Sequence, residues 1–191
     1  MSRCDWALSS PEMQEYHDYR WGRPLHEDER LYEYLLLEMM QAGLSWAIIL
    51  KKRQGFAVAF DQFNYRKIAH YSPEKIAELC QNSAIVRNRM KIEAAVTNAQ
   101  RFIAIQEQFG SFDQYIWSFT NGQTIHHHWT SVSQIPSQNE LSQRISKDLK
   151  KRGFKFVGPV IVYSYLQAIG MINDHLIHCP CYQEIVQDSQ C

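Results

Sequence analysis

The sequence has no excess charge of either sign: 20 Lys and Arg stand against 20 Asp and Glu in 191 residues. Disordered chains combine low hydrophobicity with high net charge. Here hydrophobic residues make up 45% and charged residues 21%, so that class is excluded. Neutrality also argues against a uniformly basic nucleic-acid binder. Long apolar runs are missing too. The most apolar C-terminal stretch, residues 157–172, is broken by Tyr163, Ser164, Tyr165 and Gln167. It falls short of the ~20 apolar residues that a membrane span needs. The N-terminus shows no apolar segment of signal-peptide length. A cytoplasmic protein without a membrane partner is therefore expected.

A disulfide framework is lacking as well. The five cysteines, at 4, 80, 179, 181 and 191, are odd in number, and the chain is too long to need staples. In a reducing compartment, Cys and His near one another suggest a metal first. Internal repeats, long linkers and convincing period-two alternation are absent.

What is present is helical grammar. Ser10 and Pro11, and again Ser72 and Pro73, read as a cap followed by a first-turn proline. Ser137 with Glu140 reads as a capping box before Leu141, Ile145 and Leu149, which share one helical face. Gly153 stands where that helix should stop, and Gly158 and Pro159 where the next should start. Residues 31–40 form a nearly all-apolar helix. Ile92, Ala95, Val96, Ala99, Phe102 and Ile103 make a further stripe. The expectation is an all-α fold of about eight to ten short helices. His126, His127 and His128 fall in the most polar, turn-like segment, where an exposed loop is expected.

Four groupings could carry chemistry. Residues 143–158 hold six bases and one acid, whereas residues 11–40 hold eight acids and three bases. The basic segment contains Lys151, Arg152, Gly153, Lys155 and Gly158. It reads as a hairpin whose second helix offers free amides to a phosphate, or as a plain helix connection. Cys4 and His17 lie near one chain end; His175, His178, Cys179 and Cys181 lie near the other. A closed set of Cys4, His17, His175 and Cys179 would hold a structural zinc ion. His175 and Cys179 would share a face if that stretch is helical. Cys181 or His178 in place of Cys179, or incidental buried cysteines, remain open. Glu38 is the one carboxylate in the apolar run at 35–40 and needs a partner or a pocket. Tyr16, Trp46, Trp6 and Trp21 supply aromatic faces. With Glu38 they suit a flat cationic ligand, or they are simply core.

Together these segments resemble the 3-methyladenine DNA glycosylase I family, within the helix-hairpin-helix glycosylase superfamily. The resemblance is carried by RCDW at 3–6, YHD at 16–18, WG at 21–22, Glu38 with QAGLSW at 41–46, KKR at 51–53, KKRGFKFVG at 150–158, and NDH at 173–175 with Cys179. It implies a helix-hairpin-helix fold of two helical lobes in one domain over 1–191. The hairpin element would lie at about 141–170, and a zinc clamp would join 1–20 to 173–182. It implies monofunctional hydrolytic removal of N3-methyladenine, flipped out of alkylated double-stranded DNA, by a monomer. Glu38 would contact the methylated base as the catalytic residue, and Tyr16, Trp46, Trp6 and Trp21 would line the pocket. Gly43 and Leu44 would lie at the gap left by the extruded nucleotide. Cys4, His17, His175 and Cys179 would bind structural Zn²⁺. The superfamily's aspartate after the hairpin is missing: no acid follows Gly158 until Asp174. Two rival classes are a zinc-stabilised DNA-binding module without catalysis and a zinc hydrolase with an open metal position.

Overall fold

The computed structural model describes residues 2–188, so Met1 and Cys191 lie outside the described residues. After a short 3-10 turn at Asp5–Ser9, α1 spans Pro11–Tyr19. The Ser10 hydroxyl accepts from the Met13 amide at 3.2 Å and Pro11 takes a first-turn position, as the sequence predicts. Helix α2 spans Asp28–Gln41, and every residue from Leu31 to Met40 is buried. A helix that is apolar on all sides belongs in the middle of a fold. Accordingly α2 packs against α3 (Trp46–Ala59), α6 (Arg89–Phe109), α7 (Phe112–Trp117) and α9 (Pro159–Ala168). Two short helices, α4 (Tyr65–Ile68) and α5 (Pro73–Leu79), cover α6. Helices α8 (Glu140–Lys151) and α10 (Pro180–Asp188) complete the set. Among the described residues no helix is long and apolar enough to cross a membrane.

Three local expectations need correction. The fold contains a small parallel pair, β1 (Ile125–His126) and β2 (Ile172–Asn173), in register Ile125 with Ile172 and His126 with Asn173. Two residues per strand are too few for an alternation to register in the sequence. The box that starts α8 is formed by Asn139 and Ser142, not by Ser137 and Glu140. The Asn139 side chain accepts from the Ser142 amide at 2.8 Å, and Ser142 Oγ accepts from the Asn139 amide at 3.0 Å. The three histidines are not all exposed. His128 is exposed, with its Nδ1 2.6 Å from the Tyr182 hydroxyl, but His126 and His127 are half-buried, with His127 Nδ1 2.6 Å from Asp174 Oδ1.

Candidate functional site

A cavity of about 370 Å³ opens where seven segments meet. The 3-10 turn contributes Trp6, α1 contributes Tyr16, and the turn after α1 contributes Trp21. Glu38 and Gln41 come from the last turn of α2, and Trp46 opens α3. Ser164 and Gln167 of α9, with Val132 and Ile135, close the remaining side. Trp6 and Trp21 meet edge to face at 4.9 Å between centroids, and Tyr16 and Trp46 tilt at 49° with centroids 5.2 Å apart. The sequence-expected pocket residues thus lie together. Met13, Val132, Ile135, Ser164 and Gln167 were not foreseen, because their approach depends on tertiary packing alone.

Glu38 is the unusual member. It is 3% exposed, and its Oε2 has no hydrogen-bond partner among the described residues. Burial pushes its carboxyl up to about 8. The indole Nε1 of Trp46 is also buried and unpartnered. Orphaned buried polar groups cost roughly 1–3 kcal/mol each, so folded proteins rarely retain them without use. The cavity therefore offers an acceptor and a donor that a bound molecule can satisfy.

Beside this cavity, Cys4, His17, His175 and Cys179 converge, each 0–1% exposed. The two imidazole nitrogens, His175 Nδ1 and His17 Nε2, are 3.2 Å apart. Cys179 Sγ lies 3.5 Å from His17 Nε2 and 3.7 Å from His175 Nδ1, and Cys4 Sγ lies 3.9 Å from His175 Nδ1. A tetrahedral ion with bonds of ~2.0–2.3 Å separates its ligand atoms by roughly 3.3–3.8 Å, so the spacing fits zinc. The outer nitrogens agree. His175 Nε2 donates to the Trp21 carbonyl at 3.0 Å, and His17 Nδ1 donates to Asp18 Oδ1 at 2.8 Å. Each ring thus turns a bare lone pair inward, and its other nitrogen is held by an oxygen, as is usual for metal-bound histidine. Arg3 holds Asp18 in turn, with Nη2 2.8 Å from Oδ2.

The sequence left open whether Cys181 or His178 takes the fourth place. The geometry favours Cys179: Cys181 Sγ sits 3.9 Å from the outward Nδ1 of His17, and His178 is exposed. His175 and Cys179 do not share a helix. The turn after β2 joins them, with the Cys179 amide donating to the Leu176 carbonyl at 2.8 Å. Gly22 packs against this cluster; its φ is +75°, and an added Cβ would lie 3.0 Å from His175 Cδ2.

Two further segments carry the residues that the sequence assigns to DNA contact. The turn after α2 places Gly43 at φ +79° with open space around it, followed by Leu44 at 38% exposed. Buried Lys91 donates to the carbonyls of Met40 at 2.8 Å and Ala42 at 2.6 Å, fixing the chain just before Gly43. The α8–α9 turn has Gly153 at φ +92° and Gly158 as the cap before Pro159. Buried Asn98 of α6 grips it, donating to the Lys155 carbonyl at 3.0 Å and accepting from its amide at 2.8 Å. Lys151 and Lys155 are exposed. Arg152 is instead bound inward. It donates to Asp148 at 2.6 Å and Gln108 at 2.7 Å, and its guanidinium lies over Phe109 and Tyr115.

Asp174, the first acid after the hairpin, does not face the cavity as a free carboxylate. Burial opposes its charge, but bonds from His127, Tyr163, Gln167 and Trp129 outweigh burial and hold its carboxyl below the ordinary value. It organises α9, β2 and the 127–135 segment around one buried anion.

The comparisons with known proteins agree with this geometry. The family model described as methyladenine glycosylase matches residues 6–182. DNA-3-methyladenine glycosylase 1 of Escherichia coli (strain K12) is 42% identical over 182 residues, covering 95% of this chain and 97% of that protein. A structure of 3-methyladenine DNA glycosylase I from Staphylococcus aureus, solved to address 3-methyladenine recognition, superposes with a TM-score of 0.90 at 38% identity. It covers 94% of this chain and 96% of that one. A variant of 3-methyladenine DNA glycosylase I in complex with 3-methyladenine gives a TM-score of 0.91 at 38% identity, over 94% and 97% of the two chains. With an aromatic cavity around a buried glutamate, and relatives matched over nearly their whole length, this chain belongs to the methyladenine glycosylase family.

Proposed function

We propose that this protein is a DNA-3-methyladenine glycosylase: it flips N3-methyladenine out of alkylated duplex DNA and hydrolyses its N-glycosidic bond. The observation that carries this reading is the buried, unpartnered carboxyl of Glu38 in a cavity walled by Tyr16, Trp46, Trp6 and Trp21. Methylation at N3 puts a positive charge on the purine. An aromatic box attracts such a cation, and the cation's charge favours loss of the proton that burial holds on Glu38, so that its carboxylate becomes a charge-assisted acceptor. Neutral adenine gains neither charge term, so Glu38 selects the damaged base.

The same charge makes the base a good leaving group, so little protonation of the base is required. The residues' work is to extrude the nucleotide, hold it and admit water. Extrusion costs a few kcal/mol, and we assign the gap in the stack to Gly43 and exposed Leu44. Lys151, Lys155 and the free backbone amides of Gly158, Val160 and Ile161 at the start of α9 hold phosphate. Arg152 supports that turn from inside through Asp148 and Gln108. Cys4, His17, His175 and Cys179 bind zinc, which supplies a structural cross-link between the chain ends. With two thiolates and two imidazoles the coordination is closed, which disfavours a zinc hydrolase. We assign the whole chain to a single glycosylase domain acting as a monomer. A non-catalytic DNA-binding module would have no use for the orphaned Glu38.

Chromatography of bases released from methylated duplex DNA tests the reading. Free 3-methyladenine without strand cleavage is expected. Absence of release by folded, zinc-loaded protein overturns it.

A further inference from the structure

Gln167 lines the cavity from α9, and its amide is not free to turn. Its Nε2 donates to Asp174 Oδ2 at 2.7 Å. That carboxylate also receives the Tyr163 hydroxyl at 2.6 Å on Oδ2, and the Trp129 indole at 2.7 Å on Oδ1. His127 Nδ1 lies 2.6 Å from Oδ1. Asp174 is fully buried and surrounded by donors, so it can only accept. A flipped amide would set a carbonyl against a carboxylate. The nitrogen of Gln167 is therefore committed to Asp174, and Oε1 is the polar atom left for the cavity. Oε1 accepts no hydrogen bond from the described residues.

We infer that Gln167, oriented by Asp174, is a specificity-determining residue that selects adenine over guanine among N3-methylated purines. The inference rests on the glycosylase reading above and deepens it. The base chemistry leaves one possibility for a carbonyl acceptor. On 3-methyladenine joined through N9, N1 and N7 are acceptors and N3 carries the methyl group. The exocyclic amine at C6 is the only N–H donor, and it has two hydrogens. Glu38, whose Oε2 is unpartnered, and Gln167, whose nitrogen is taken by Asp174, both line the cavity, and under this inference an oxygen of each takes one amine hydrogen. On 3-methylguanine the atom at C6 is an oxygen, which leaves Gln167 facing a second acceptor. A site built to hydrogen-bond one group rejects an analogue that cannot reciprocate.

The test compares release of 3-methyladenine and 3-methylguanine from the same methylated duplex DNA. Gln167→Met keeps the length of the side chain and removes the acceptor. Its 3-methyladenine kcat/KM is expected to fall roughly 10- to 100-fold, with 3-methylguanine release little changed, so the ratio narrows by about the same factor. A parallel loss for both bases, or no loss, overturns the inference. Gln167→Glu is the conservative variant. Its protonated acid can donate to Asp174 while still presenting an oxygen, so the wild-type ratio is expected to return as pH falls. A ratio as narrow as that of Gln167→Met at every pH contradicts the orienting role of Asp174. The two readings fail differently: wild-type protein that releases no 3-methyladenine sinks the glycosylase assignment, whereas release with an unaltered ratio in Gln167→Met sinks only this one.

Discussion

His175 Nε2 donates to the main-chain carbonyl of Trp21 at 3.0 Å, while His175 Nδ1 faces the sulfurs of the Cys/His cluster. The indole of Trp21 stands edge-on to the same imidazole, 4.6 Å between centroids, and forms part of the cavity wall. Trp6 touches both sides: its ring meets Trp21 at 4.9 Å and His17 at 5.2 Å. The cluster and the cavity are therefore neighbours with a common wall.

This arrangement makes the cluster a stability element with a functional consequence. One zinc per chain is expected by atomic absorption. His175→Ala, or Cys4→Ser, should lose the metal and lower the melting temperature, because metal binding and folding are coupled in closed sites. Activity of the surviving folded fraction should fall less than stability does. A zinc-free variant with unchanged melting contradicts the assignment.

Glu38 should trade stability for recognition, in a pH-dependent way. In the folded protein burial holds its proton up to about 8, whereas an exposed glutamate releases it near 4.5. Between those values the folded state binds more protons than the unfolded state, so stability falls as pH rises. Glu38→Gln abolishes this slope. It is expected to be the more stable protein at pH 8, by at most about 5 kcal/mol. The difference should shrink toward zero near pH 4. Thermal melting of both proteins across this range is the check; a wild type of equal stability at pH 8 contradicts it.

Lys91 holds the turn that carries Gly43 and Leu44 through two carbonyls, those of Met40 and Ala42. Lys91→Met leaves both unpaired, at a cost of about 1–3 kcal/mol per group. If Leu44 fills the gap in the stack, excision from duplex DNA should suffer more than excision from single strands, which have no stack to support. Free 3-methyladenine should bind as before, measured by tryptophan fluorescence. Equal losses on both substrates would separate Lys91 from the gap.

The α8–α9 turn should neutralise few phosphates. Replacing Lys151 and Lys155 by Gln is expected to reduce the slope of log affinity against log salt by roughly one for each lysine that neutralises a phosphate. Arg152→Gln should instead lower stability, since its partners are Asp148, Gln108, Phe109 and Tyr115. An unchanged salt slope in the double Lys variant would move the phosphate site elsewhere. The zero net charge fits a modest footprint of this kind.

Local grammar made much of the helical frame legible. Ser10 with Pro11, Ser72 with Pro73, and Gly158 with Pro159 each open a helix where read. The nearly all-apolar stretch at 31–40 marked a buried helix, α2, while the stripe from Ile92 to Ile103 marked the long helix α6. The site was legible as residue types: Glu38 in an apolar helix, Trp and Tyr near the N-terminus, Cys and His at both ends. Its assembly drew on the family resemblance, because Cys4 and Cys179 lie far apart in sequence. What stayed hidden depends on partners distant along the chain. Asn98 clamps Lys155, Lys91 clamps Ala42, and Asp174 gathers His127, Trp129 and Gln167. None has a local pattern, since each bond forms only after the helices pack. His126 and His127 misled for that reason: their polarity suggested solvent, as His128 next to them shows, but Asn173 and Asp174 pair with them.

The most direct measurement concerns Glu38. Single-turnover release of 3-methyladenine from methylated duplex DNA should be compared with equilibrium binding to an abasic-site duplex, for wild type and Glu38→Gln. Abasic DNA occupies the DNA face but puts no base in the cavity. Release is expected to fall by about 100-fold or more while abasic binding stays within about threefold. Losses of equal size in both would make Glu38 a structural residue and contradict its role in recognising the base.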